Sequence, residues 1–175
     1  VFTLVITSLA IIIVILVFRH NKNKYYKKKF MELMDRSPVR QMNTTNGELD
    51  INPEVAQAIL TNLIKFEQNR KYLEKDMNLV KMATLLNTNT KYVTKIIAHY
   101  RGKGTIEYIS DLKIDYIIER LKNESKYRNY TNKALGEEAG FGSTQNFTKA
   151  FKAKTDISPT YFIEMLRNGT YMRTA

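Results

Sequence analysis

The stretch Glu138–Lys152, EAGFGSTQNFTKAFK, decides the fold of this 175-residue chain. Leu135, Gly136 and Ala139 precede a glycine-rich turn, and Ser143 after the turn is a residue type that caps the first amides of a new helix. Apolar residues then recur at the spacing of one helix face, at Phe147, Ala150 and Phe151. This pattern predicts a helix, a tight turn and a second helix.

An earlier stretch, Asn87–Ile97 with the sequence NTNTKYVTKII, repeats the pattern with one residue fewer in the turn. In each copy a small residue, Ala83 or Gly136, lies four positions before the turn. Two steeply crossing helices nearly touch at such a position, so only a small side chain fits there. Glycine inside a helix costs about 1 kcal/mol relative to alanine, so a close approach explains Gly136 better than helix propensity does. The chain therefore contains two copies of one helix-turn-helix unit.

A single amphipathic helix is predicted between the two copies, at 106–122. Its apolar positions are Ile106, Ile109, Leu112, Ile117, Ile118 and Leu121. A helix that joins two similar units holds them at a fixed separation, and major grooves on one face of DNA recur about every 34 Å. The predicted fold class is all-α, with two helix-turn-helix subdomains joined by a long linker helix. The units are expected at about 78–100 and 131–153, with the linker helix at about 105–122, inside a domain at 78–167.

A further helix is predicted ahead of this domain, within residues 52–77. Asn52, Pro53 and Glu54 are a capping side chain, a proline at the first helical position and an acid in the first turn. The helix is expected to run to about Leu73, with an apolar face formed by Val55, Ile59, Leu63 and Phe66. Residues 168–175 are predicted to be a tail.

The first 18 residues, VFTLVITSLAIIIVILVF, contain no charge, proline or glycine. As a helix they would span about 27 Å, close to the thickness of a bilayer core. Basic residues follow this run in a juxtamembrane segment and linker at 19–51, whereas a signal peptide carries its positive charge before the apolar run. The order predicts a retained transmembrane helix at 1–18 with the rest of the chain on the cytoplasmic side. A buried core helix is the alternative.

The composition points to an anionic partner and away from catalysis. Lys and Arg number 28 against 17 Asp and Glu, which gives a net charge of +11. Nucleic acid and a lipid surface both fit such a charge. With no cysteine and two histidines, disulfides, thiolate zinc sites and histidine-rich metal sites are excluded. Neither a phosphate-binding loop nor a nucleophile motif occurs, so we expect no enzyme activity, no metal and no cofactor.

Residues 79–163 resemble the AraC-type DNA-binding domain. The resemblance rests on Glu138–Ser143, on Asn146–Lys152, and on Ile157–Pro159 before an aromatic pair. The whole chain resembles membrane-tethered AraC-type regulators of Bacteroidetes-like bacteria, in which a tetratricopeptide-repeat sensor usually precedes the membrane span. Asn87 and Asp156 replace residues that are usually glycine in the family. Both residue types tolerate the left-handed conformation that such positions need.

The resemblance implies a sequence-specific transcription regulator in the bacterial inner membrane, a single-pass protein with its DNA-binding domain in the cytoplasm. Its partners would be double-stranded DNA and, through residues 1–18, the membrane. Dimerisation, an upstream sensor domain and RNA polymerase remain open as further partners. The competing interpretation is a membrane-anchored helical module that binds proteins and not DNA.

The second helix of each unit would enter a major groove by its first turn. The outward positions, which match the family's base- and phosphate-contacting positions, are Thr90, Lys91, Thr94 and Lys95 in the first unit and Thr144, Gln145, Thr148 and Lys149 in the second. Ser143 and Asn146 complete the predicted DNA-binding set. A solvated helix face is the alternative, but both copies place similar polar groups at matching positions.

The chemistry of these side chains suggests different roles. Gln145 could bond adenine at N6 and N7, and Lys91 could reach guanine O6 or N7. Threonines can use a hydroxyl or a methyl group. Lys95 and Lys149 could equally hold phosphates, which position a protein without selecting a sequence.

Overall fold

The computed structural model describes residues 2–35 and 49–169, without the side chains of residues 2–6 and 8. The described residues form eight α-helices with two short 3₁₀ turns, at Lys71–Leu73 and Ser125–Asn129. The helices are α1 Phe2–Asp35, α2 Pro53–Gln68, α3 Leu79–Leu85, α4 Thr90–Arg101, α5 Thr105–Asn123, α6 Asn132–Glu138, α7 Thr144–Thr155 and α8 Pro159–Arg167. The predicted all-α class is confirmed.

The two predicted helix-turn-helix units are α3–α4 and α6–α7. In their turns Asn87 and Gly140 both have left-handed backbones, with φ of 53° and 70°. The amide after each turn residue bonds the carbonyl of the small residue, at 3.0 Å to Ala83 and 2.8 Å to Gly136. A Cβ at Gly136 would lie only 3.1 Å from the Cβ of Phe147. The repeat and the close helix crossing are therefore confirmed.

Helix α5 lies between the units and supplies much of their shared core. Its fully buried residues pack against both α4 and α7, and they include Ile114, Ile117 and Leu121. The prediction that Ile106 belongs to this apolar face is wrong, because its side chain is 77% exposed. It lines an open groove between the two units instead of facing the core.

Helix α2 packs against α4 and is shorter than predicted. Asn52 caps it by accepting from the amide of Glu54 at 2.9 Å, as its sequence indicates. The helix ends at Gln68 and not near Leu73, because Arg70 takes a left-handed conformation with φ of 53°. Three of the four predicted apolar positions are buried, but Val55 is 41% exposed in the first turn.

Helix α1 continues without a break through the basic segment and docks on α8, the helix that follows the second unit. The ring of Phe30 is fully buried with its centroid 5.3 Å from that of Phe162 in α8, and Tyr26 packs on Tyr161 at the same distance. At the end of α1, the ammonium of Lys122 donates to two carbonyls of the last turn, at 2.9 and 3.1 Å. Sequence analysis did not predict this docking.

The predicted span at 1–18 forms the first half of α1 and lies partly outside the described residues. From Leu9 to Phe18 its large apolar side chains are between 51% and 70% exposed. Within the part of the chain that the structure describes, no helix has the length and apolar character needed to cross a membrane. Residues 36–48 of the predicted linker and 170–175 of the predicted tail also lie outside the described residues.

Candidate nucleic-acid interface

Helices α4 and α7 are the two candidate recognition helices, and both begin at a side-chain cap. Asn89 accepts from the amide of Tyr92 at 2.9 Å, and Ser143 accepts from the amide of Asn146 at 3.1 Å. Each cap satisfies an amide that the helix itself leaves without a partner. Ser143 thus has a structural role in starting α7, and its hydroxyl lies at the exposed end of that helix.

The predicted DNA-facing residues of α4 share one face. Thr90, Lys91 and Thr94 are exposed, and Lys95 is partly exposed. The hydroxyl of Thr94 donates to the carbonyl of Thr90 at 2.9 Å. The opposite face is fully buried, at Val93, Ile96 and Ile97.

Helix α7 has the same division. Its exposed residues are Thr144, Gln145, Asn146 and Lys149. Thr148 is half-buried, and its hydroxyl donates to a carbonyl of the preceding turn at 3.1 Å. Phe147 and Phe151 are fully buried behind this face. Both helices therefore present polar groups at matching positions on their outer sides.

The second turn is fixed against the linker helix and the segment before α3. The ammonium of Lys113 in α5 donates to the carbonyl of Gly140 at 2.6 Å and lies 5.3 Å from the ring centre of Phe141. Burial lowers the pKa of Lys113. A Cβ added at Gly140 would overlap the carbonyl group of Leu73, because it would lie only 2.8 Å from the carbonyl carbon. These contacts hold the second turn on α5 and on the turn at Lys71–Leu73.

The end of the first recognition helix is fixed by a buried ion pair. Glu67 of α2 is 3% exposed, and its carboxylate accepts from two nitrogens of Arg101, at 3.0 and 3.2 Å. The hydroxyl of Tyr108 in α5 donates to the same oxygen. Burial and the neighbouring carboxylate raise the pKa of Tyr108, so it remains a donor. Three helices meet at this carboxylate.

One predicted DNA contact already has a partner within the chain. The ammonium of Lys95 lies 2.7 Å from a carboxylate oxygen of Asp50 and also donates to the Asp50 carbonyl at 3.2 Å. Sequence analysis missed this pair, because the two residues are 45 positions apart and Asp50 belongs to a stretch predicted to be a linker. The matching Lys149 has no ion pair among the described residues.

A groove of about 800 Å³ separates the two units. It is lined by the start of α3, the start of α5 and the inner edge of α7. Val80 and Ile106 expose apolar side chains there, and Lys81 and Lys149 add positive charge. In residues 2–35 and 49–169, no group of His, Asp or Glu side chains could hold a metal ion.

No family model and no curated protein sequence matches this chain. Its fold is similar to the crystal structure of a transcriptional regulator with an AraC-type DNA-binding domain from Chromobacterium violaceum. In that comparison the TM-score is 0.51 and the identity is 15%, and the match covers 66% of this chain and 96% of the other.

Two further structures are similar at lower TM-scores. The C-terminal domain of AraT, a response regulator from Geobacillus stearothermophilus, has a TM-score of 0.49 at 20% identity over 66% of this chain and 88% of that one. ToxT from Vibrio cholerae has a TM-score of 0.48 at 22% identity, and the match covers 66% of this chain but only 41% of ToxT. The first of the three comparisons, together with the paired units on the linker helix, shows that this chain has the fold of an AraC-type DNA-binding domain.

Proposed function

We propose that the chain is a sequence-specific DNA-binding transcription regulator, and not an enzyme, that places α4 and α7 in adjacent major grooves. The observation that carries the proposal is the pair of exposed polar faces at matching positions of two capped helices. Helix α5 packs against both α4 and α7, so the two recognition helices share one core. A net charge of +11 favours attraction to the phosphate backbone.

The roles within this surface follow from side-chain chemistry. Gln145 is the proposed adenine contact and Lys91 the proposed guanine contact. Lys95 and Lys149 are the proposed phosphate contacts. The remaining members of the set contribute hydroxyl, methyl or amide contacts at the groove, namely Thr90, Thr94, Ser143, Thr144, Asn146 and Thr148.

The proposal includes a membrane anchor at residues 1–18, with the DNA-binding domain in the cytoplasm. Its support is the uncharged apolar run, the basic residues that follow it, and the exposed apolar side chains along the first half of α1. An upstream region would then supply the signal.

A mobility-shift assay tests DNA binding directly. The full chain in neutral detergent should retard a subset of genomic DNA fragments, and the doubly substituted Lys95→Ala, Lys149→Ala protein should retard them far less. If no fragment is retarded at any salt concentration, the DNA-binding proposal fails.

Reporter fusions test the anchor. An enzyme that works only in the cytoplasm should be active when fused after Ala175, and one that needs export should be inactive there. The reverse result would contradict the proposed topology, and a domain outside the cytoplasm could not reach chromosomal DNA.

The groove between the units favours a second candidate function. Its exposed Val80 and Ile106 would suit an apolar segment of another protein. A membrane-anchored interaction module without DNA binding would bind a partner through this groove. Ile106→Asp would then abolish partner binding, whereas Lys91→Ala and Lys95→Ala on α4, outside the groove lining, would have no effect.

A further inference from the structure

The carboxylate of Asp50 lies on the outward face of the first recognition helix. It contacts Lys95 at 2.7 Å, and Lys91 on the same face also attracts it. The hydrogen bond from Lys95 and the charges of both lysines lower the pKa of Asp50, so the group is ionised at neutral pH. A negative charge therefore occupies the part of α4 that would approach a phosphate.

The backbone on both sides of Asp50 is held in place. Ile51 is buried against the core, and its amide donates to the carbonyl of Leu49 at 2.7 Å. Asn52 caps α2. Because its neighbours are fixed, Asp50 loses little additional freedom when it pairs with Lys95, which favours the contact.

The second recognition helix has no matching arrangement. Lys149 occupies the position that Lys95 occupies in the first unit, and among the described residues it has no acidic partner. The second unit therefore serves as an internal reference, because the same lysine position is engaged in one copy and exposed in the other.

Building on the DNA-binding function proposed above, we propose that Asp50 competes with DNA inside the chain: its carboxylate occupies the Lys95 ammonium and must be displaced by a backbone phosphate when α4 enters the groove. An ammonium has three donors, but a carboxylate and a phosphate are both anions, so their mutual repulsion disfavours holding both on Lys95 at once. The second unit then binds DNA without this cost.

The competition has a measurable size. An exposed ion pair changes an equilibrium constant by roughly 1.5- to 5-fold, and removing the Asp50 charge should tighten DNA binding by that factor. When DNA displaces Asp50, the freed carboxylate takes up a cation. Asp50→Asn should therefore steepen the fall of log K with log salt by up to about one unit.

The test compares four variants of the full chain in neutral detergent with the wild type. Fluorescence anisotropy measures binding to random-sequence duplexes of about 30 base pairs, or three helical turns, at several salt concentrations. Asp50→Asn should bind more tightly and with a steeper salt slope. Glu54→Gln removes a nearby exposed acid that makes no ion pair among the described residues, and it should have a much smaller effect. The remaining variants are Lys95→Ala and the double variant Asp50→Asn, Lys95→Ala, which should bind alike.

The outcomes separate this inference from the function on which it rests. If the wild type binds DNA and Asp50→Asn binds equally well, or if its gain persists in the Lys95→Ala background, the competition is refuted while DNA binding stands. If neither the wild type nor Asp50→Asn binds any duplex, both proposals fail.

The contact can also be tested without DNA. Acetic anhydride modifies free amines, and mass spectrometry gives the extent of reaction at each lysine. Lys95 should react more slowly than Lys149 in the wild type, and Asp50→Asn should raise the reactivity of Lys95 alone. Unchanged reactivity of Lys95 would overturn the proposal.

Discussion

The turn residues of the two helix-turn-helix units share a left-handed backbone conformation but have different surroundings. Asn87 and Gly140 both turn the chain with positive φ, yet Asn87 is exposed and Gly140 is buried against the carbonyl of Leu73. The first turn needs only a residue that tolerates the left-handed region. The second also needs the absence of a side chain. The same local backbone geometry therefore restricts the residue type differently at the two positions, depending on what packs against it.

The ends of the two recognition helices differ in the same way. Both are followed by a left-handed residue, Gly102 and Asp156, each with φ of 64°. In the first unit, Arg101 reaches across to the buried Glu67 of α2. In the second, Asp156 pairs with Lys29 of α1 at 3.2 Å. The first unit is thus fastened to α2 and the second to α1, one by a buried pair and the other by an exposed pair.

Breaking the buried pair should give the largest effect. Glu67→Ala leaves Arg101 and the Tyr108 hydroxyl without their acceptor, and removing one partner of a buried ion pair costs about 3–5 kcal/mol. Urea unfolding followed by circular dichroism measures the loss. Glu54→Ala, at an exposed position of the same helix, is the control and should change stability by less than about 0.5 kcal/mol. If Glu67→Ala lowered the free energy of unfolding by less than about 0.5 kcal/mol, the Glu67–Arg101 pair would not be a major contribution to stability.

Exchanging the turn residues should give the next largest effect. Gly140→Asn introduces the residue of the first turn into the second, where its Cβ overlaps the Leu73 carbonyl, and overpacking of this kind costs about 2–3 kcal/mol. Asn87→Gly is the reverse exchange and should change stability by less than about 1 kcal/mol. Thermal melts would show whether the asymmetry exists, and equal shifts would mean that the second turn is no more crowded than the first.

A third prediction concerns base selection by the two helices. Gln145 and Lys91 occupy matching positions but differ in charge. Gln145→Ala should relax preference at one base pair by about 1–3 kcal/mol and leave the salt slope unchanged. Lys91→Ala should flatten the slope if it also contacts phosphate. Titrations on a selected site and on scrambled DNA measure both, and an equal loss on the two DNAs would refute base recognition by Gln145.

The smallest expected difference is between the two phosphate-contact candidates. Lys149→Ala and Lys95→Ala should each weaken binding to every sequence. Only Lys149→Ala should flatten the salt slope, by up to about one unit, because at Lys95 the cation taken up by the freed Asp50 carboxylate offsets the one released from DNA. The Lys149 substitution should have the larger effect, because Lys95 must first leave Asp50. If Lys95→Ala lowered the DNA affinity more than Lys149→Ala, the proposed competition at Lys95 would be contradicted.

Local features of this fold could be predicted from the sequence, whereas contacts between distant segments could not. The caps at Asn89 and Ser143 and the left-handed positions at Asn87 and Asp156 depend on neighbours a few residues away, so residue type was informative. The docking of Phe30 on α8 depends on a tertiary contact. Phe30 follows a run of lysines and tyrosines with no apolar periodicity, so the sequence did not indicate that its side chain would be buried.

The candidate site shows the same limit. The periodicity of the two recognition helices indicated which side chains point outward, because one buried face determines the other. It could not indicate that Lys95 meets a carboxylate from a stretch predicted to be a linker. Periodicity within one helix contains no information about which other segment covers its polar face.

Under the proposed membrane anchor, the unbroken course of α1 would limit the distance between the bilayer and α8. Between Phe18, where the apolar run ends, and Tyr26, where α1 first packs on α8, the helix rises only about 12 Å. With residues 1–18 anchored, α8 would therefore lie near the lipid headgroups, whose electrostatic repulsion of a polyanion extends over roughly 8 Å at physiological salt. The lysines in this interval and just beyond it would screen the polyanion from the anionic surface. In this geometry, a chromosome would have to bend toward the membrane to be read.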